Sequence, residues 1–484
     1  MDTEFDAVGR RPLPPAGIGI VADPGLRRVG DGRVLIGGSP LRVIRLSERG
    51  AAVFDAWSAG APLADEASAR VLAGRLLDAG VVHPVVRPLD DPPPVTVIVP
   101  VKDAAGDLDR LLAGVGRPTV VVDDGSETPD EIATVAARHG ARLVRRETSG
   151  GPGVARMTGL ATVDTELVVF VDADVTLPAG WWPALASHLL DDAVVAVAPR
   201  VASVAGPSLR ARYEEIHSPL DLGAVAANVG PRRAVAYVPS AVLAVRREAV
   251  DAVGGFDSEL RVGEDVDLIW RLVDAGGTVR YAPEVVAHHR PRDDWAGWFR
   301  QRRRYGGSAV DLGARHGATV APARCSRWSL LAWGLAVGRR PAAGFAVAAA
   351  SSVALIPKLD GVPVAPREAL RLAGRGQLQA GRGLARALSR VWWPLAIPTA
   401  IGCRRLRAGV VLAMFVPAVD GWWRGARPAG LLRSVLLRVF DDMAYGVGVW
   451  EQVIRRRDAR ALIPDVTEWP GRRTAVEGDT VPGS

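Results

Sequence analysis

Cysteine, lysine and long apolar runs are all scarce in this sequence. Of 484 residues only Cys325 and Cys403 are cysteines. Two thiols at that separation offer neither metal-ligand spacing nor a disulfide framework, which excludes a stapled secreted domain and a zinc ribbon. A reducing, cytoplasmic compartment fits. The N-terminus carries Asp2, Glu4 and Asp6 and lacks an apolar core, so no secretory signal is expected. Lysine stands only at 102 and 358, so the net charge of +7 is almost wholly arginine. Heavy use of Ala, Val, Gly and Pro beside it points to codon bias. No basic stripe interleaves with aromatics, and a nucleic-acid partner is not expected.

No clean apolar run reaches the roughly twenty residues that a spanning helix needs. Residues 328–337, 342–356, 395–401, 410–419 and 435–450 are apolar but broken. The pairs Trp392-Trp393 and Trp422-Trp423 beside arginines resemble membrane-interface anchors. Residues 321–463 are therefore expected to be helical and partly apolar. They place the chain at the cytoplasmic face of a membrane or in the cytoplasm, with a packed helical domain as the plainer alternative.

What is present points to several domains. The hydrophobic fraction is 48%, ample for more than one core, and no internal repeat is found. Residues 1–20 are Pro/Gly-rich and expected to be disordered, as is the tail 464–484. Residues 21–90 read as a small winged-helix-like module. Short strands at 34–36 and 41–46 flank a Gly-Gly-Ser-Pro turn, Ser47 caps a helix through Trp57, a helix follows over 64–79, and a strand begins at Val81. The run Asp90-Asp91-Pro92-Pro93-Pro94 is expected to be a linker.

From Val95 onward, strands alternate with helices. Continuous apolar runs at 95–99, 119–123, 142–145, 167–172 and 194–198 predict strands buried on both faces. Helices are expected over 107–113, 130–139, 152–161 and 181–190. This is the pattern of a parallel α/β sheet, whose ligands bind beyond the carboxyl ends of its strands.

Acidic clusters fall at such ends. Asp123 and Asp124 close the second strand ahead of Gly125-Ser126, where they are able to accept hydrogen bonds from a base and a ribose. A turn or cap is the plainer role. Asp172 and Asp174 follow an apolar strand, and residues i and i+2 of an extended chain face one way. Two hard oxygen donors in that arrangement suit Mg²⁺ or Mn²⁺. Glu264 and Asp265 open an amphipathic helix, where capping competes with the role of a carboxylate base. The helix start Gly150–Arg156 offers N–H groups for phosphate oxygens, although no P-loop Gly-Lys-Ser/Thr follows. His288-His289 with Gln301-Arg302-Arg303-Arg304-Tyr305 could bind a diphosphate or form a solvated basic face.

In order, these motifs resemble glycosyltransferase family 2 over about residues 94–310. The set includes Asp123-Asp124-Gly125-Ser126, the Gly151–Arg156 helix start, Asp172-x-Asp174, Glu264-Asp265 and Gln301-x-x-Arg304-Tyr305. The resemblance implies a GT-A domain over 94–320 that binds a nucleotide sugar. Asp123, Asp124, Arg156, Asp172 and Asp174 would contact the donor, with Asp172 and Asp174 on the metal. Asp265 would be the catalytic base, and Glu264, Gln301, Arg304 and Tyr305 would line the acceptor and diphosphate side. Met157 stands where the family has Asn, and Tyr305 where it has Trp.

The small module ahead of such a domain is similar to that of the mycofactocin-system glycosyltransferases. It resembles peptide-recognition domains of ribosomal-peptide pathways. That implies glucose transfer from UDP-glucose, inverting, onto a peptide-derived redox cofactor precursor, with extension of a β-1,4-glucan. The competing readings are a membrane glycosyltransferase with a lipid or polysaccharide acceptor and a non-catalytic peptide-binding adaptor. DNA binding by the winged helix is disfavoured, because residues 60–66 carry no Arg or Lys.

Overall fold

The computed structural model describes residues 12–291, 294–359, 361–424 and 430–467. They form two compact units that divide between Arg292 and Asp293. The boundary expected near residue 320 therefore falls earlier, and helix Trp295–His316 belongs to the second unit.

The first unit opens with the small module. Strand Gly19–Ala22 pairs antiparallel with Val82–Val85, and Arg27–Val29, Val34–Gly37 and Arg42–Arg45 form a second antiparallel sheet. Helix Glu48–Ser58 is capped by the Ser47 hydroxyl, which accepts the Gly50 N–H, and helix Ala67–Ala79 ends on Gly80. Their apolar faces meet over Leu35, Phe54, Trp57, Leu76 and Val81. Two expectations need correction. The stretch 1–20 was expected to be disordered, yet the Gly17 N–H bonds the Leu63 carbonyl, the Leu63 N–H bonds the Ile18 carbonyl, and Ile20 is buried. Two apolar side chains among Pro and Gly suffice to seat this segment, while residues 1–11 lie outside the described residues. The linker at 90–94 is also tied down. Leu89 N–H bonds the Pro183 carbonyl, and Trp182 Nε1 bonds that of Pro93 at 2.8 Å.

A nine-stranded mixed sheet follows. Strands Val95–Val101, Thr119–Asp124, Arg142–Arg146 and Leu167–Val171 run parallel. Val242–Arg246 then enters antiparallel between Leu167–Val171 and Val194–Ser203. The five strands expected from the sequence run in one direction, and Val242–Arg246, which the sequence reading did not place, is antiparallel to them. Its sequence Val-Leu-Ala-Val-Arg is apolar on both faces, like its neighbours, and apolarity carries no direction. Strand Thr278–His289 pairs parallel with Val194–Ser203 and antiparallel with Ala227–Val229. The carboxyl ends of Thr119–Asp124 and Leu167–Val171 lead into the acidic motifs.

The second unit is helical, as expected. Its longest helices are Trp295–His316, Ala365–Arg390, Arg404–Arg424 and Leu431–Arg456. The first and last lie so close that a Cβ on Gly306 would meet the Tyr445 carbonyl oxygen at 1.9 Å. A Cβ on Gly448 would meet that of Arg303 at 1.8 Å. Buried Arg302 donates to Asp441 across this contact at 2.8 Å. Among the described residues, Pro341–Leu359 and Arg404–Trp423 are helices long and apolar enough to cross a membrane. The sequence runs looked shorter because arginines and Pro417 interrupt the second one without ending the helix. Strand Asp465–Thr467 pairs with Arg324–Ser326, so the tail expected to be disordered from 464 is ordered to Thr467. Residues 468–484 lie outside the described residues.

Candidate active site

Strand Thr119–Asp124 carries two carboxylates into the fold, and both are occupied by protein donors. Asp123 accepts the Ser126 N–H at 2.9 Å and pairs with Arg145. Asp124 accepts from Arg146 Nε, Ser149 Oγ and the N–H groups of Gly150 and Gly151, all at 2.8–2.9 Å. Burial disfavours its charge, but the Gly150 N–H, the Ser149 hydroxyl, the Gly151 N–H and Arg146 outweigh it and hold its pKa below the ordinary value. The expectation of open acceptors for a base and ribose is therefore narrowed: a donor contact to Asp124 has to displace a protein partner. The same bonds answer for the glycine-rich helix start. The N–H groups of Gly150 and Gly151 face a carboxylate instead of a phosphate, which is the charge that a helix N-terminus favours.

The centre of the site is Arg156, on helix Pro152–Leu160. It is buried, with Nη2 donating to Asp172 at 2.6 Å and Nη1 to Glu264 at 3.0 Å. Its guanidinium lies over Phe256 at 5.3 Å. Arg156 is therefore a pivot between acids as well as an expected donor contact. Met157, in the position usually Asn, lies against Gly255.

Asp172 and Asp174 sit on the turn after Leu167–Val171, where the Val175 N–H bonds the Asp172 carbonyl. Asp174 Oδ2 is 3.0 Å from His289 Nε2, at the end of strand Thr278–His289, which pairs antiparallel with Val175–Thr176. Asp265 opens helix Glu264–Asp274, where its Oδ1 accepts the Val266 N–H at 2.8 Å. Its Oδ2 faces the Ser240 N–H at 3.4 Å. Burial raises the pKa of Asp265 against the pull of Arg156, and the charge of Asp172 adds to the rise. Asp172 is raised as well, by burial and by Asp174, again against Arg156. Glu264 is pushed up to about 7 by burial and the charge of Asp265. Four acids thus share one arginine and one histidine.

Asp172 and Glu264 meet on Arg156, with Asp265 and Asp174 beside them. Glu264 needs a correction: it is buried on Arg156 and supports the pivot from behind instead of lining an acceptor face. Gln301, Arg304 and Tyr305 are on helix Trp295–His316 of the second unit, with Gln301 Nε2 donating to the Tyr305 hydroxyl at 3.1 Å and Arg304 exposed. His289 was legible only as part of a basic cluster, and Ser240 gave no signal. Strand pairing places both.

Glu264 makes a pH prediction possible. Its pKa rises from 4.5 to about 7, so the stabilisation it contributes is complete below about 4.5 and is lost as pH rises through about 7. Glu264→Gln stays neutral and able to accept from Arg156. Its stability relative to the parent is expected to improve as pH rises from about 5 to 8, followed by thermal unfolding. A difference independent of pH contradicts this.

Among the described residues no group of three His, Cys, Asp or Glu side chains is placed to hold a metal ion. Asp172 and Asp174 supply hard carboxylate oxygens, of the kind that suits Mg²⁺ or Mn²⁺, with His289 bonded to Asp174.

The family model described as Glycosyl transferase family 2 matches residues 96–254. The pre-mycofactocin glycosyltransferase of Mycobacterium tuberculosis is 39% identical over 469 residues, covering 93% of this chain and 98% of the relative. Glycosyltransferase AglE of Haloferax volcanii is 27% identical over 41% of this chain and 68% of its own length. Among solved structures, a mannosyltransferase from Pyrobaculum calidifontis in complex with GDP-Man and Mn²⁺ aligns over 74% of this chain and 90% of its own. Its identity is 20% and its TM-score 0.39. With a mixed α/β sheet that presents an Asp-x-Asp turn at a strand's carboxyl end, the chain belongs to glycosyltransferase family 2.

Proposed function

We propose that this glycosyltransferase moves glucose from UDP-glucose, with inversion, onto a peptide-derived acceptor of the pre-mycofactocin type and extends it as a β-1,4-glucan. The acceptor class follows the full-length relative's activity. The observation that carries the reading is the meeting of Asp172 and Asp265 around Arg156, with Asp174 beside Asp172. Asp265 serves as the base. Its environment raises its pKa, and two backbone N–H groups orient its carboxyl. It removes the proton of the acceptor hydroxyl as that oxygen attacks the anomeric carbon. UDP departs from the opposite face, so an α-linked donor gives a β-linkage, as in any single displacement with one base.

Asp172 and Asp174 would hold Mn²⁺ or Mg²⁺, with His289 bonded to Asp174. The cation would neutralise charge on the departing diphosphate. Arg156 opposes the rise in the pKa of Asp172 and holds its carboxyl in place. Asp123 and Asp124 shape the nucleotide end through the 146–151 loop. Gln301, Arg304 and Tyr305 serve the acceptor and diphosphate side, and residues 21–90 act as the winged-helix-like peptide-recognition module. The two long apolar helices support attachment to the cytoplasmic face of a membrane.

The test is calorimetric. UDP binding to the parent protein is expected to tighten with Mn²⁺ by about tenfold or more, and Asp172→Ala is expected to lose that gain while keeping metal-independent binding. An undiminished Mn²⁺ effect in Asp172→Ala contradicts the assignment. A second reading, a lipid or polysaccharide acceptor, is favoured by the exposed apolar side chains Phe345, Leu412 and Trp423 on the helical unit.

A further inference from the structure

One segment, residues 227–241, touches both the small N-terminal module and the catalytic base. At its start the Asn228 side-chain amide donates to the Leu77 carbonyl at 2.6 Å. Arg233 Nη1 donates to the carbonyls of Ser39 and Asp78, at 3.2 and 3.0 Å. The Ala234 N–H reaches the Ser39 hydroxyl at 2.5 Å. The carbonyls of Leu77 and Asp78 belong to the last turn of helix Ala67–Ala79, where Leu77 also accepts the Gly80 N–H and a cation is favoured. The segment therefore grips the module at a helix end and at the 37–40 turn.

Its far end reaches the chemistry. The Ala236 carbonyl accepts from Trp270 Nε1 at 2.7 Å, and Trp270 shares helix Glu264–Asp274 with Asp265. Ser240 turns its N–H to Asp265 Oδ2. The Ala241 carbonyl accepts the N–H of Asp172 at 2.9 Å, continuing the pairing of Leu167–Val171 with Val242–Arg246. Between the two ends Val235, Val238 and Ser240 are buried, so the connection is packed and a shift at one end is transmitted. The two acids differ in what holds them. Asp172 is anchored by a sheet ladder, whereas Asp265 takes its second N–H from this segment.

We propose that the N-terminal module is a working part of the transferase site, and that Arg233, with Asn228, is a positioning residue that sets Asp265 through the 227–241 segment. Resting on the assignment of Asp265 as base, this gives the module a role in turnover in addition to any acceptor recognition. Loosening the grip displaces the base without disturbing the sheet-held donor side. A misplacement of about 1 Å is enough to cost on the order of a hundredfold in rate.

The experiment uses the full chain with Mn²⁺, UDP-glucose and the cyclised, decarboxylated peptide-derived acceptor. It compares Arg233→Ala, Arg233→Lys, Ser39→Ala and Asp265→Asn. Arg233→Ala is expected to lower kcat by about tenfold to a hundredfold, with the Kd for UDP unchanged within about twofold. Arg233→Lys, which keeps a donor and the charge, recovers part of the loss. Ser39→Ala, which removes one acceptor and little packing, shows a smaller fall in kcat and keeps the proposal testable if Arg233→Ala fails to fold. Parent-like kcat in Arg233→Ala beside an inactive Asp265→Asn overturns the proposal and leaves the base assignment standing. Loss of UDP affinity together with kcat, without recovery by Arg233→Lys, reduces the contact to scaffolding and also overturns it. Full activity in Asp265→Asn removes the base assignment and the proposal with it.

Discussion

Asp265→Asn is expected to abolish glycosyl transfer while donor binding survives. The amide is nearly isosteric with the carboxylate and sits at the same helix start, beside the N–H groups of Ser240 and Val266. What it loses is basicity. A positioned general base contributes about 10²–10⁴ in rate, so the initial velocity should fall by at least the lower figure. The diphosphate side, carried by Asp172 and Asp174, is untouched, and the Kd for UDP should stay within about twofold. Substitution also removes a negative charge that raises the pKa of Glu264, so Glu264 moves back toward its ordinary range. Initial rates and UDP titrations on one preparation check both halves. Undiminished transfer ends the assignment of Asp265.

Arg156→Met should be the most destabilising single change in the site. The methionine keeps much of the arginine's apolar stem but leaves Asp172 and Glu264 without their shared cation. Removing one member of a buried charge pair costs about 3–5 kcal/mol. Asp172 retains some solvent contact, so the lower end is expected at neutral pH. Arg156 lowers the pKa of Glu264 and Asp265, so without it both bind protons more readily. The cost should therefore shrink as pH falls and those carboxyls neutralise. Adding Glu264→Gln to Arg156→Met should restore part of the stability at the higher pH, because a glutamine there has no charge to lose on folding. Denaturant unfolding of the first unit at about pH 8 and pH 5 measures this. An equal cost at both values, with no recovery in the double variant, contradicts the picture of Arg156 as the counter-ion of the site.

The parts of this site that were legible in the sequence are those whose meaning is local. An apolar strand ending in Asp172-x-Asp174 declares a strand end and two like-facing carboxylates within a few residues. Glu264 and Asp265 ahead of Leu268, Ile269 and Leu272 declare an amphipathic helix with an acidic start. The resemblance to family 2 then joined these pieces and supplied the role of Asp265.

What was not legible depends on partners far along the chain. The true acceptor load of Asp124 comes from residues 146–151, and nothing near Asp124 announces it. Arg156 reads as a donor contact only through the resemblance, and its bonds to Asp172 and Glu264 are invisible until the sheet and helix Glu264–Asp274 bring them to it. The direction of strand Val242–Arg246 is invisible in its apolar pattern, yet it sets where Ser240 and Ala241 meet the two acids. The ordered segments at 12–20 and 464–467 were hidden for another reason. Each is anchored by strand pairing or backbone bonds to distant residues, which composition does not encode.

The measurement that tests the central claim most directly is mass spectrometry of the products. The protein is incubated with Mn²⁺, UDP-glucose and the cyclised, decarboxylated peptide-derived acceptor, with and without chelator and against other nucleotide sugars. The account predicts a ladder of added hexoses on the acceptor, absent with chelator. No hexose on any acceptor offered, lipid extract included, would contradict a metal-dependent transferase built on Asp172, Asp174 and Asp265.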